Sequence, residues 1–91
     1  MRARRIDDNQ KQVVKNLRQL GLSVVIVSMV PVGFDFIIGH KGKNYLIELK
    51  DGQKVKSKKK LTENETDFFN NWRGQVNKCE TIEEILFVIG L

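Results

Sequence analysis

The stretch VGFDFIIGHKGKNYLIELKDG, residues 32–52, predicts two antiparallel strands joined by a tight turn at Lys41-Gly42. In that register His40 faces Lys43, and Asp35 on the first strand lies opposite Glu48 on the second. A slip of one residue would move one of the two carboxylates to the other face of the sheet. The hairpin and its register are therefore the first prediction from this sequence.

Alternation along the two strands assigns the side chains to faces. Asp35 and Ile37 share one face with Leu46, Glu48 and Lys50. The other face takes the alternating residues Phe34, Phe36, Ile38, Tyr45, Ile47 and Leu49. Directly opposed carboxylates have Cβ atoms about 5 Å apart, which is unfavourable unless a proton or a cation lies between them. A hard divalent cation suits such oxygen ligands, and Lys50 adds a positive group on the same face. The alternative interpretation is a solvated charge pattern on an exposed sheet face.

Length and charge limit the class of protein. The 91 residues predict one domain over residues 1–91, with a basic tail over residues 1–5. The net charge of +5 favours a polyanionic partner such as nucleic acid. Cys79 is the single cysteine, so no intramolecular disulfide is possible, and we expect it to be a small buried residue.

No stretch of the sequence resembles a signal peptide or a membrane-spanning segment. We therefore expect a cytoplasmic protein that does not bind membranes, located in the bacterial host cell if a bacteriophage encodes it.

The first half of the chain predicts a helix and a buried strand before the hairpin. Residues 7–20 have the pattern of a helix with Asp7 as N-cap and Gly21 as stop, and Gln10 and Leu20 extend its apolar stripe. Residues 23–30, SVVIVSMV, are apolar at nearly every position, which predicts a central strand covered on both faces.

Basic residues cluster on either side of the predicted site in sequence. The loop over residues 51–60 follows the hairpin, and its side chains are placed to hold a phosphate backbone without reading sequence. A solvated loop and a solvated terminus are the alternatives. The predicted DNA-binding residues are Lys54, Lys56, Lys58, Lys59, Lys60, Arg4 and Arg5.

The second half predicts helix, strand and helix. Residues 61–73 form a helix with a Thr62/Glu65 capping box, and we expect Glu65 to act as a cap while Phe68, Phe69 and Trp72 are buried. Residues 75–79 are a weakly indicated strand. Residues from Thr81 to Ile89 predict a final helix that is deeply buried or packed on a second subunit, with a strand as the alternative for its apolar end.

The order of these elements, with Asp35 on the second strand and Glu48-Leu49-Lys50 on the third, resembles the PD-(D/E)xK nuclease superfamily, and more narrowly the small stand-alone VRR-NUC type domains. The resemblance implies an α/β fold with a restriction-endonuclease-like core, order αβββαβα, and a mixed sheet flanked by helices. The residues that carry it are Asp7, Asn9, Gln10, Leu17-Arg18, Gly21, Gly33-x-Asp35, Gly42, Glu48-Leu49-Lys50-Asp51-Gly52, Ser57, Leu61-Thr62, Glu65 and Trp72-Arg73-Gly74.

The resemblance also implies a site and an activity. Asp35, Glu48 and the Leu49 carbonyl would bind Mg²⁺ or Mn²⁺, and Lys50 would orient or activate the water that attacks a phosphodiester. Gln10 stands where many relatives carry a glutamate, so it could contribute only a neutral hydrogen-bonding group. Phe34 replaces a common proline, and Thr66 departs from a position where glutamine is frequent.

Small members of this family resemble Holliday junction resolvases that act as homodimers, since a twofold dimer can nick two symmetry-related strands of branched DNA. Two other functions remain open at this point. One is a non-catalytic DNA-binding accessory module, and the other is a general nicking or restriction-like nuclease.

Overall fold

The computed structural model describes residues 8–54 and 60–91. Its elements follow the predicted order of helices and strands. They are α1 (Asp8–Gln19), β1 (Ser23–Ile26), β2 (Phe36–His40), β3 (Lys43–Leu49), α2 (Glu63–Asn71), β4 (Asn77–Cys79) and α3 (Ile82–Ile89). The N-cap predicted at Asp7 lies outside the described residues.

The four strands form one open mixed sheet in the order β1-β2-β3-β4. β1 and β2 pair antiparallel, as do β2 and β3, whereas β4 joins β3 in parallel. The α/β class and the mixed sheet are therefore confirmed.

The central strand predicted over residues 23–30 is wrong. β1 ends at Ile26 and lies at the edge of the sheet, where Val25 is 59% exposed. The chain then turns, since the Val30 N–H donates to the Val27 carbonyl at 3.1 Å, and Met29 is exposed. A continuous apolar run is compatible with a central strand, but it is equally compatible with a short edge strand followed by an exposed turn.

The hairpin register is confirmed from His40–Lys43 to Phe36–Ile47. Asp35, predicted on the strand opposite Glu48, lies one residue before β2 and outside the paired residues. His40 pairs with Lys43 and Ile37 pairs with Leu46. The turn residues Lys41 and Gly42 have φ angles of 51° and 78°, the left-handed pair that a two-residue type I′ turn requires. This turn matches the twist of the two strands, so it fixes which residues of β2 and β3 face each other.

One face of the sheet carries the hydrophobic core. Phe36, Ile38 and Ile47 are fully buried there, together with Leu17 of α1 and Ile85 of α3. Cys79 belongs to the same core and is 1% exposed, as predicted for a small buried residue. Burial, and then the charge of Glu84, raises the pKa of its thiol to about 11. The core therefore places α1 and α3 on the face opposite to the one that carries Glu48.

Helix α2 contacts the other face of the sheet. Gly33 has a φ of 95°, and a Cβ at this position would lie 2.5 Å from Cβ of Phe68. Glycine is therefore required where the loop before β2 meets α2. This close approach sets the distance between α2 and the strands that carry the predicted site.

Two predictions about buried stripes are wrong. Trp72 is 47% exposed, Phe68 and Phe69 are half-buried, and Leu20 is 55% exposed. The reason is that α1 ends at Gln19 and α2 at Asn71, so Leu20 and Trp72 lie beyond the last helical turn that packs on the sheet.

The segment after Thr81 is a helix and not a strand, with Thr81 as N-cap and Gly90 as a left-handed C-cap. Ile85 and Ile89 face the core, whereas Phe87 is 85% exposed. The helix is therefore buried on one face only. Among the described residues, no helix combines the length and the apolar character needed to cross a bilayer.

Candidate metal centre

Asp35 lies directly before β2 and is held against β3. Its backbone N–H donates to the Ile47 carbonyl at 2.9 Å, although Ile47 is the partner of Phe36, so Asp35 and Phe36 both face Ile47 as in a β-bulge. Its carboxylate Oδ2 accepts a hydrogen bond of 2.8 Å from the Leu49 N–H. Asp35 and Glu48 are close enough that each changes the pKa of the other's carboxyl group. The predicted convergence of these two carboxylates is therefore present in the structure.

Lys50 joins this pair to helix α2. Its Nζ lies 3.3 Å from Oε2 of Glu48 and 2.8 Å from Oε1 of Glu65. The side chains are largely shielded from solvent, with 13% of Lys50, 4% of Glu48 and 11% of Glu65 exposed. The cluster is thus an enclosed group of charges rather than a solvated surface pattern.

Glu65 has two roles in this structure, as a helix cap and as the partner of Lys50, whereas the sequence favoured only the cap. Its carboxylate completes the capping box, because Oε1 accepts the Thr62 N–H at 2.8 Å while the Thr62 hydroxyl accepts the Glu65 N–H at 3.2 Å. The same Oε1 accepts the hydrogen bond from Lys50. The capping box therefore orients a carboxylate toward the site.

The backbone of Leu49 offers a further oxygen on the same side. Its N–H points to Asp35, and in an extended strand the N–H and C=O of one residue point to the same neighbour. The next residue points the other way, since the Lys50 N–H donates to the Cys79 carbonyl at 2.8 Å. The Leu49 carbonyl is therefore directed to the Asp35 side, as a metal ligand at this position requires.

Burial of adjacent carboxyl groups makes the pair hold a proton. Burial, followed by the charge of Asp35, raises the pKa of Glu48 from 4.5 to about 9. Burial also raises the pKa of Asp35, although the hydrogen bond from Leu49 opposes this change. At neutral pH, Glu48 is protonated, and the proton offsets a charge that a divalent cation would offset more completely.

The other two charged groups remain ionised. Burial lowers the pKa of Lys50, but the hydrogen bond to Glu65 and the charges of Glu48 and Glu65 outweigh it, so the pKa is raised. Burial raises the pKa of Glu65, but the hydrogen bonds from Lys50 and Thr62 outweigh it, so the pKa is lowered. Lys50 and Glu65 therefore form a stable ion pair beside the carboxyl pair.

Gln10 is buried, as its position on the helix stripe predicted. Its Nε2 donates to the Ser28 hydroxyl at 3.0 Å. Ser28 follows Val27, whose N–H donates to the Asp35 carbonyl at 2.8 Å. In this structure the Gln10 side chain therefore supports the segment beside Asp35 through Ser28, a residue that the sequence analysis did not single out.

A second unpredicted residue, Gln75, binds the backbone of β3. Its Oε1 accepts the Leu46 N–H at 2.6 Å, and its Nε2 donates to the Leu46 carbonyl at 3.0 Å. The side chain thus replaces a neighbouring strand at the position before β4 begins. An isolated glutamine after Gly74 gives no sequence signal for this contact.

Only part of the predicted DNA-binding set can be placed. Lys54 and Lys60 are exposed, and they flank residues 55–59, which lie outside the described residues. Lys56, Lys58, Lys59, Arg4 and Arg5 lie outside the described residues, as does Ser57. Asp51 accepts the Gln53 N–H at 2.9 Å and so starts the loop with a tight turn.

The donor set fits a hard divalent cation that keeps other ligands. Asp35, Glu48 and the Leu49 carbonyl supply two carboxylates and one carbonyl, all oxygen donors. Within residues 8–54 and 60–91, no group of three or more His, Cys, Asp or Glu side chains is arranged to hold a metal. Two carboxylates are typical of Mg²⁺ sites in which water and substrate phosphate complete the coordination.

No family model, curated protein or solved structure shows significant similarity to the chain.

Proposed function

We propose that this protein is a Mg²⁺- or Mn²⁺-dependent endodeoxyribonuclease with a restriction-endonuclease-like core of the VRR-NUC type. The observation that carries the proposal is the enclosed cluster in which Glu48, beside Asp35, lies 3.3 Å from Lys50 with only 4% of its side chain exposed. A domain that only binds DNA gains nothing from two buried, mutually repelling carboxyl groups, whereas a cation site needs them.

The residues of the chain then take separate roles. Asp35, Glu48 and the Leu49 carbonyl would hold the cation, which supplies charge to polarise the phosphoryl oxygen and to acidify the attacking water. Lys50, kept protonated by Glu65, would stabilise the charge that develops on the phosphate oxygens or orient the water. Gln10 would act at a distance, through Ser28 and the segment beside Asp35.

The substrate class follows from charge and from the resemblance. The net charge of +5, with Lys54 and Lys60 exposed on the segment that follows Lys50 in the chain, favours a polyanionic substrate such as DNA. By resemblance the protein would act as a homodimer on branched DNA, as a Holliday junction resolvase does. Phe87, 85% exposed on α3, is an apolar side chain available for such an association.

The test uses labelled four-way junction, flap and linear duplex, each incubated with Mg²⁺, with Mn²⁺ or with chelator. We expect cleavage that requires the cation and falls by about 100-fold or more in Asp35→Asn, Glu48→Gln and Lys50→Ala. Lys43→Ala is the matched control, because it removes an exposed lysine from the far end of the same strand.

Two outcomes would contradict the proposal. Cleavage that persists in chelator or in Lys50→Ala would remove the proposed mechanism. Tight junction binding without cutting under any metal condition would instead support the accessory module. Preference among the three substrates separates a resolvase from a general nicking nuclease.

A further inference from the structure

An aromatic groove lies on the same sheet face as the candidate metal centre. Three rings form a row in which Phe34 and Phe68 have centroids 5.3 Å apart and Phe68 and Trp72 have centroids 5.0 Å apart. Ile37 and Leu46, from the face of the sheet that carries Asp35 and Glu48, form the floor. We call this groove, with Val32 and Asn44 at its margin, the aromatic groove.

The aromatic groove and the site are built from adjacent residues of the same elements. Asp35 directly follows Phe34 in the chain. On α2, Glu65 and Phe68 are three residues apart and Trp72 follows four residues later, a spacing that places all three on one side of the helix. A phosphate held at the carboxyl pair would therefore have its nearest bases close to these rings.

Trp72 has an exposed indole ring that a flat, apolar partner can contact. Its indole is 47% exposed and stacks on Phe68 with an interplanar angle of 19°. A Cβ at Gly74 would lie 2.9 Å from the indole Nε1, so glycine is needed there for the ring to keep this orientation. Exposed aromatic faces on a basic protein are the usual platforms for unpaired nucleobases.

We infer that the aromatic groove binds an unstacked nucleobase next to the scissile phosphate, so that the proposed nuclease selects DNA with unpaired bases. Stacking on Trp72 would supply the binding free energy, and the Asn44 carboxamide offers polar atoms to a base edge. A base in a continuous duplex cannot reach the groove without leaving its stack. This inference depends on the proposed function for the location of the scissile phosphate.

A second copy of the chain is the other candidate occupant. Stable protein interfaces take about 20–30 residues from each partner, whereas seven residues line the aromatic groove. The net charge of +5 favours a polyanion such as a single strand of DNA. Both observations support a base as the occupant.

The test measures binding without turnover, in buffer free of divalent cations. Trp72 is the only tryptophan, so its fluorescence reports directly on the groove. The probes are a short oligothymidylate, an abasic strand with the same number of phosphates, and a blunt duplex. We expect the oligothymidylate to quench Trp72 and to bind at least about fivefold more tightly than the abasic strand.

Variants then separate stacking from charge. By anisotropy of labelled oligonucleotides, Trp72→Ala should remove the preference for bases while Trp72→Phe keeps most of it. Val25→Ala, which removes an exposed apolar side chain on the edge strand β1, outside the groove, should leave the preference unchanged.

Equal affinity for the oligothymidylate and the abasic strand would overturn the inference, as would self-association that Trp72→Ala abolishes in sedimentation experiments. If the protein distinguishes bases but does not cut DNA, only the proposed function is contradicted. If the protein cuts DNA without distinguishing bases, only this inference is contradicted.

Discussion

The Nζ of Lys50 lies 2.8 Å from Oε1 of Glu65, and that same oxygen accepts the backbone N–H of Thr62 at 2.8 Å. One carboxylate oxygen therefore both starts helix α2 and holds the lysine of the candidate site. Because the helix N-terminus fixes the carboxylate, the ammonium group is positioned by secondary structure and not by side-chain packing alone.

The first prediction concerns Glu65→Gln. Burial lowers the pKa of Lys50, but the hydrogen bond that Lys50 donates to Glu65 and the charge of Glu65 raise it, so removing this charge lowers that pKa. We expect DNA cleavage at neutral pH to fall about 10-fold and its alkaline limb to move to lower pH. The measurement is a pH profile of single-turnover cleavage.

Thr62→Ala is the control for this experiment. It removes the hydroxyl that caps the Glu65 N–H and should cost about 1 kcal/mol of stability, while the Lys50–Glu65 pair remains. An alkaline limb that moves equally in both variants would mean that Glu65 acts only as a cap.

The second prediction is that binding of Mg²⁺ releases a proton. Glu48 is protonated at neutral pH because its pKa is about 9, and a cation requires the carboxylate. We expect the affinity for Mg²⁺, measured without DNA, to rise with pH up to about 9. Calorimetry in buffers of different ionisation enthalpy would count the proton, and Glu48→Gln should abolish both binding and release.

The third prediction concerns stability without metal. The pKa of Glu48 is about 9 in the folded protein against an ordinary value of 4.5, so folding holds a proton that the unfolded chain releases. The stabilising contribution is complete below pH 4.5 and is lost as the pH rises to about 9. Glu48→Gln keeps a neutral side chain, so at pH 8 in chelator it should raise the free energy of unfolding by about 1–4 kcal/mol.

Denaturant titrations at pH 5 and pH 8 would test this difference, with Glu63→Gln as a control that changes an exposed carboxylate of α2. A Glu48→Gln variant less stable than the wild type at both pH values would contradict the protonated state of Glu48.

The fourth prediction concerns Gly33→Ala. The new Cβ would lie 2.5 Å from Cβ of Phe68, and the residue keeps a φ of 95° only at a cost. We expect a loss of about 2 kcal/mol or more in the free energy of unfolding. Cleavage by the remaining folded protein should also fall, because Asp35 is two residues away.

Gly21→Ala separates the two causes of this loss. Gly21 has a φ of 89°, but nothing lies within 4 Å of its added Cβ, so the substitution strains the backbone without a clash. The expected loss is about 1 kcal/mol, measured by thermal or chemical denaturation. Equal losses in the two variants would show that α2 moves freely away from the loop.

Local rules were sufficient for the hairpin and for the position of Glu48. Lys41-Gly42 favours a turn in which both residues adopt positive φ, and that turn determines the pairing of every residue that follows on β2 and β3. The position of Glu48 was predictable for the same reason, whereas Asp35 lies beyond the paired residues of β2 and is held by its own bonds to Ile47 and Leu49. The Thr62/Glu65 capping box is also local, since both residues belong to one helical turn.

Long-range packing accounts for what the sequence did not predict. The apolar run at Ser23–Ile26 does not indicate whether β1 has a neighbouring strand on both edges. Among the described residues, β1 pairs only with β2. The helical period of α2 predicted that Phe68 and Trp72 lie on one side of the helix. It could not predict how far the sheet extends beneath them. The contact of Glu65 with Lys50 depends on where α2 docks, which no local pattern encodes.

Cys79 adds a way to observe the strand that supports Lys50. Its thiol is 1% exposed, and its backbone carbonyl accepts the Lys50 N–H. An alkylating reagent can reach this thiol only when β4 separates from the core, so the modification rate measures how often that separation occurs. Since the chain has one cysteine, the natural protein carries its own probe for local opening of the sheet edge beside Lys50.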